Sequence, residues 1–140
     1  ADFEQAGATL EIVIEQPAVV LGDAIRVEQV LINLVRNALD AVRPCATRRV
    51  RVTVGAGDEA TVRIADTGPG LSAEVRAHLF EPFFTTKPSG AGLGLGLAIS
   101  SSIVQAMAGT LTAGDAPCGG AEFVLALPLQ AAVPAQETTT

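Results

Sequence analysis

Residues 24–42, AIRVEQVLINLVRNALDAV, decide how the rest of the chain must fold. Val27, Val30, Leu31, Leu34, Ala38 and Val42 recur at helical spacing and share one face, so the segment predicts an amphipathic helix with one side to bury. Asp23 is placed to cap its start, and Arg43-Pro44 ends it. A polar stripe runs down another face: Gln29, Asn33, Asn37 and Asp40, at spacings of four, four and three. Asparagine is a poor helix residue because its amide competes for backbone hydrogen bonds. Two of them one turn apart cost stability unless the amides are used. The stripe is open to two readings. One is a solvated face. The other is a row of oxygen ligands, in which amide carbonyls and a carboxylate suit a hard cation such as Mg²⁺, held by few protein groups together with substrate phosphates.

On either side of this helix the pattern changes period. Thr9–Glu15 alternates apolar and polar residues and predicts a strand; residues 18–21, AVVL, predict a second short one. After the helix, residues 48–55 and 60–66 read as a hairpin. Residues 67–94 are interrupted by glycine and proline, with room for a short helix at 73–80. Residues 96–109 predict a second long helix stopped by Gly109, and 110–114 and 121–129 the closing strands. The expected fold class is α+β: a two-layer sandwich whose mixed, mostly antiparallel sheet is covered on one face by helices. Residues 1–129 form the domain, and 130–140 read as a disordered tail.

The bulk composition narrows the classes of function. A length of 140 residues with 49% hydrophobic content suits one packed domain, and the mean hydropathy is +0.41. The net charge of −6 argues against non-specific nucleic-acid binding and against an anionic membrane surface. It does not exclude a local phosphate pocket. No apolar run is long enough to span a bilayer. Cys45 and Cys118 lack metal-binding spacing, and one histidine does not make a zinc site, so two free thiols are expected. The abrupt start, ADFEQAG, suggests a piece of a longer protein.

Two glycine-rich stretches complete the candidate site. ADTGPG follows a strand, so Asp66 is a carboxylate at a strand end, and Gly68 and Gly70 would let a ligand approach the backbone. A simple Asp-x-Gly, Pro-Gly turn accounts for the same residues. Gly68, Gly70 and Ala73 formally match a dinucleotide fingerprint, but Pro69 stiffens the turn and no acidic residue ends a strand about 20 residues on. Gly92, Leu93, Gly94, Leu95 and Gly96 alternate directly before a helix, where unpaired N–H groups form a phosphate cradle. Lys87 lies close enough in sequence to reach a phosphate as a point charge, or is a solvated loop lysine.

Taken in order, QVLINLVRNALDA, DTGPG, FEPFFTTK, GLGLGLAIS and GGAEF resemble the ATP-binding catalytic domain of bacterial sensor histidine kinases, of the superfamily shared with gyrase B, MutL and the heat-shock chaperone ATPases. The wording of residues 33–41 and 80–100 is similar to kinases sensing dicarboxylates or nitrogen status. The resemblance covers nearly the whole chain. It implies a Bergerat-type ATP-binding fold with a mobile lid over about residues 72–92. It implies that Asn37 ligates Mg²⁺ bridging the phosphates, with Asn33 beside it, and that Asp66 accepts a hydrogen bond from the exocyclic amine of adenine. Gly68 and Gly70 would bound the base pocket, and Gly92, Gly94 and Gly96 would bind phosphates and hinge the lid. Phe80, Phe83 and Phe84 would anchor that lid. The last box departs from the family: Ala121 stands where a hydroxyl is common.

The resemblance also implies the partners. These are ATP and ADP, a histidine-bearing helical domain of the same parent kinase and, indirectly, a response regulator, in a cytoplasmic domain of an inner-membrane sensor. His78, followed by Leu79 and with Pro82 four residues on, does not match the phosphoacceptor pattern. Two other readings share parts of the pattern: a serine kinase of the anti-sigma type, and a nucleotide-binding module that works by ATP-driven dimerisation.

Overall fold

The hairpin after the Asn-rich helix is the frame on which the other elements are laid. The chain is described by a computed structural model over residues 2–16, 24–82, 96–117 and 119–129. The elements are α1 (Asp2–Ala6), β1 (Thr9–Ile14), α2 (Ala24–Val42), β2 (Arg49–Ala56), β3 (Glu59–Asp66), α3 (Ala73–His78), α4 (Gly96–Ala106), β4 (Thr110–Asp115) and β5 (Ala121–Pro128). The sheet order is β1-β2-β3-β5-β4. β1 pairs with β2 in parallel, and every other pairing is antiparallel. This is the mixed, mostly antiparallel sheet expected from the sequence, with α2 and α4 against one face.

Cross-strand partners point to the same side of a sheet. Val52 opposes Ile64, and Ile64 opposes Phe123; Val54 opposes Val62, Val62 opposes Leu125, and Leu125 opposes Leu111. Period-2 alternation therefore builds one apolar wall. α2 covers it with Val30, Leu34, Ala38, Leu39 and Val42, all buried, while Val27 and Leu31 sit at the margin. α4 adds Val104 and packs on α2 and β4. Phe80 meets Phe123 edge-on, with ring centroids 6.4 Å apart, which fixes the residues after α3 to the core.

Three features differ from the sequence reading. α1 is an unexpected short helix: Phe3 packs on the core, Ala8 N–H donates to the Phe3 carbonyl, and Arg48 donates to the Ala6 carbonyl at 2.9 Å. The apolar side of β1 is largely exposed, since α2 lies over β2 and β3; Ile12 and Ile14 are each 62% exposed. The stop of α4 is also shifted. Gly109 N–H donates to the Val104 carbonyl and Ala108 N–H to the Gln105 carbonyl, and the left-handed residue of this cap is Ala108, at φ 61°. Gly109 is a glycine for another reason. A Cβ there would collide with the Ala126 carbonyl oxygen and stand 2.7 Å from Leu127 Cδ2. The expected strand at 18–21, the Asp23 cap, Phe83, Phe84, residues 83–92 of the expected lid, Cys118 and residues 130–140 lie outside the described residues.

The cap makes a stability prediction. A left-handed non-glycine residue costs about 1–2 kcal/mol, partly offset by the unfolded-state freedom that glycine would add. Ala108→Gly should therefore stabilise the domain, by roughly 0.5–1 kcal/mol in urea unfolding. Gly109→Ala should destabilise it, by about 1–3 kcal/mol, through overpacking against β5. A loss of stability in Ala108→Gly would contradict the cap.

Candidate functional site

The apolar wall of the sheet ends in a carboxylate. Asp66 is the last residue of β3 and opposes Val50, so the same alternation that buries Ile64 turns Asp66 toward α2. It is 2% exposed. Its Oδ1 accepts the Gly68 N–H at 2.8 Å and the Ala121 N–H at 3.2 Å. Burial pushes its carboxyl above the ordinary carboxylate range, and these two N–H groups oppose the shift. A turn aspartate would be solvated. This one is held desolvated by two backbone donors from different parts of the chain, and so has the surroundings of a binding group.

α2 sets the second side of the site. Asn33, Asn37 and Ala41 lie one turn apart on a common face. Asn33 Nδ2 donates to Ser100 Oγ at 2.9 Å, and a Cβ on Gly96 would stand 2.9 Å from Asn33 Oδ1. The upper end of the stripe therefore touches the first turn of α4. At the lower end, a Cβ on Gly68 would stand 3.0 Å from the Ala41 carbonyl oxygen and 3.0 Å from Asp66 Oδ1. Asn37 sits between these contacts, half-buried, and its side chain makes no hydrogen bond among the described residues. The structure thus gathers Asn33, Asn37, Asp66, Gly68 and Gly96 around one face of α2. Gly70 continues the loop at φ 83°, a conformation that favours glycine.

Other candidates are placed differently. Gln29 is exposed, and Asp40, further along the stripe, is half-buried with Oδ1 3.5 Å from Arg43 Nε. Lys87, Gly92, Leu93, Gly94 and Leu95 lie outside the described residues. His78 is exposed at the end of α3, with Nδ1 2.8 Å from Glu81 Oε2. Ser100, 3% exposed, was not singled out from sequence. Its signal was faint: it is the first of three consecutive serines in α4, one turn before the buried Val104. Among the described residues no cluster of three or more His, Cys, Asp or Glu side chains could hold a metal. An Mg²⁺ held by one amide oxygen and substrate phosphates fits the unpaired carboxamide of Asn37. A groove of about 650 Å³ lies on the other face of the sheet, between Arg49, Arg51, Arg63, Glu11 and Glu122. Glu11 binds Arg51 at 2.9 Å and Glu122 lies 3.7 Å from Arg63; neither Asn37 nor Asp66 lines the groove, so its size does not mark it as the site.

The chain is similar in sequence and fold to known proteins. Residues 22–131 match the histidine kinase-, DNA gyrase B- and HSP90-like ATPase family. The chain belongs to that family. It is 43% identical to the sensor protein FixL of Bradyrhizobium diazoefficiens over 78% of this chain and 22% of FixL. It is 48% identical to the C4-dicarboxylate transport sensor DctB of Rhizobium meliloti over 71% of this chain and 16% of DctB. The chain therefore spans about a fifth of the length of these relatives, which include the dicarboxylate-sensing type expected from sequence. Among solved structures, the catalytic domain of the histidine kinase ThkA superposes with a TM-score of 0.77 at 27% identity, covering 90% of this chain and 82% of that one. The fold is the Bergerat fold of histidine kinase catalytic domains. No described helix is long and apolar enough to cross a membrane.

The desolvated carboxylate has a pH signature. A raised folded-state pKa means that protonation favours the folded state. The associated stability is fully present below the unfolded value of about 3.9 and is lost as pH rises through the folded value. Asp66→Asn keeps an acceptor for Gly68 and Ala121 without the charge. It should be no less stable than wild type at pH 7, and the gap in its favour should close as pH falls to about 3.5. Urea unfolding across that range checks this; a gap that widens on acidification would contradict the burial of a charge.

Proposed function

We propose that this domain binds Mg-ATP and donates the γ-phosphate to a histidine on a separate helical domain of its parent protein, whose phosphohistidine then serves a response regulator. The observation that carries the proposal is the buried carboxylate of Asp66, held by Gly68 and Ala121 beside the unpaired carboxamide of Asn37. A desolvated carboxylate at a glycine-bounded opening prefers a donor such as the exocyclic amine of adenine. It disfavours a base with a carbonyl at that position. In this reading Asn37 would hold Mg²⁺, which would supply positive charge to the triphosphate. Lys87 and the N–H groups of residues 92–96 are the proposed phosphate contacts. Phosphoryl transfer needs little covalent chemistry from the protein, so the work of these residues is positioning and charge stabilisation. The complex of the full-length kinase ShkA with AMPPNP, a protein 32% identical to this chain with a TM-score of 0.79, supports a nucleotide at this fold. His78, held beside Glu81 on the far end of α3, is not the proposed acceptor.

Calorimetric titration tests the assignment. Asp66→Ala should lose at least about a hundredfold in ATP affinity with the fold intact. Asn37→Ala should remove the Mg²⁺ dependence of binding and cost about tenfold. Unchanged affinity in Asp66→Ala, or wild-type binding indifferent to a chelator, would refute the corresponding role. Incubated with labelled ATP, this chain alone should stay unlabelled, and the parent's histidine-bearing hairpin added in trans should take up acid-labile label. Acid-stable label on serine or threonine would replace the histidine-kinase reading with a serine kinase.

A further inference from the structure

α4 meets α2 through a polar residue on its buried side. Gly96, Ser100 and Val104 follow one another a turn apart, so they line one side of α4. Val104 is fully buried, and Ser100 is almost so. A hydroxyl in that position costs stability unless it is hydrogen-bonded. Its partner comes from the other helix: Asn33 Nδ2 donates to Ser100 Oγ at 2.9 Å. One turn earlier, Gly96 leaves the room in which the amide lies. A Cβ there would stand 2.9 Å from Asn33 Oδ1, 3.1 Å from Nδ2 and 3.4 Å from Cγ. The whole carboxamide therefore rests against Gly96, and Ser100 holds one end of it. With Nδ2 engaged, Oδ1 is the end that accepts no hydrogen bond among the described residues. It belongs to the helix face that also carries Asn37.

We infer that Ser100 is a positioning residue for cation-dependent nucleotide binding: by holding the nitrogen end of the Asn33 carboxamide, it leaves the oxygen end to the face shared with Asn37. The inference rests on the reading of that face as an Mg-ATP site. The two ends of a carboxamide have nearly the same shape and opposite chemistry. The oxygen ligates a hard cation, and the nitrogen donates to an anion. A site that takes a divalent cation and phosphates together presents both partners at close range. An amide free to turn would meet a phosphate oxygen with its N–H groups as readily as the cation with its oxygen. Ser100 removes that freedom from the far side of the amide, without touching cation or nucleotide itself. Such support from behind is what holds a ligand group in its productive orientation.

The test measures ATP affinity of the 140-residue chain by calorimetry, with saturating Mg²⁺ and with a chelator, for wild type, Ser100→Ala, Asn33→Ala and the double variant. The quantity read is the ratio of the two affinities. Ser100→Ala should lower that ratio roughly three- to tenfold, the worth of one hydrogen bond, with the affinity in chelator within about twofold of wild type. Asn33→Ala should lower the ratio as far, and the double variant no further, because Ser100 acts through Asn33. A second readout needs neither nucleotide nor variant. In the nucleotide-free wild-type chain, the side-chain amide protons of Asn33 should exchange with solvent more slowly than those of Asn37. Ser100→Ala should abolish the difference. A Ser100→Ala variant that weakens binding equally with and without Mg²⁺ would make Ser100 a tie between helices only, and overturn the inference. So would additive losses in the double variant, or equal exchange at Asn33 and Asn37 in wild type. Wild-type binding indifferent to Mg²⁺ would instead overturn the Mg-ATP reading of this face, and this inference with it.

Discussion

The constraint on which the site depends is a carboxylate placed where the core should be apolar. Asp66 continues the inward-facing row of β3 that contains the buried Ala60 and Ile64 and the half-buried Val62. Burying a charge without compensation is costly, and here two backbone N–H groups meet it. Those donors come from the loop that follows β3 and from the start of β5. Satisfying one side chain thus requires that the loop turn back at Gly68 and that β5 pair tightly beside β3. The glycines at 68 and 120 are consequences of that requirement, since each would place a Cβ within about 3 Å of Asp66.

α2 acts as a ruler for the remaining parts. Its apolar face is committed to β2, β3 and α4, which leaves its orientation no freedom. The stripe flanking that face then presents Asn33 to α4, Asn37 to the space between, and the Ala41 carbonyl to the loop at Gly68, at intervals of one helical turn, roughly 5–6 Å. The distance between the start of α4 and the aspartate loop is therefore set by helix pitch and not by loop length. The hydrogen bond of Asn33 to the buried Ser100 ties the two helices at the point where α4 begins. A helix N-terminus can stabilise an anion only within its first turn, so the position of that turn matters more than that of the rest of α4.

The domain carries a net charge of −6, and its proposed ligand is itself an anion. Long-range attraction works against such a complex, so favourable terms have to be local: backbone N–H groups, a divalent cation and a shaped base pocket. The described charges agree with this division. Arg51, Arg63 and Arg76 are each engaged with a carboxylate outside the candidate site. The side chains brought together at the site are an aspartate and amides, with glycines between them.

Sequence periodicity alone determined most of the architecture. The stripe of α2, the two-residue alternation of β2, β3 and β5, and the glycine-rich breaks each reflect a local rule, and each element lies within a few residues of its expected position. The residues proposed for the site stand out for a similar reason: asparagine in a helix, and aspartate at a strand end before glycine, run against local preference. What the sequence could not determine was how distant parts meet. That the apolar side of β1 is largely exposed follows from where α2 sits on the sheet. That Ala108, not Gly109, takes the left-handed position follows from how close Gly109 must come to β5. Ser100 and Gly120 have no meaning until Asn33 and Asp66 are beside them, 67 and roughly 55 residues away in the chain. Local preference is written in neighbouring residues, but hydrogen bonds and close approaches between remote segments exist only once the core has fixed where each segment lies.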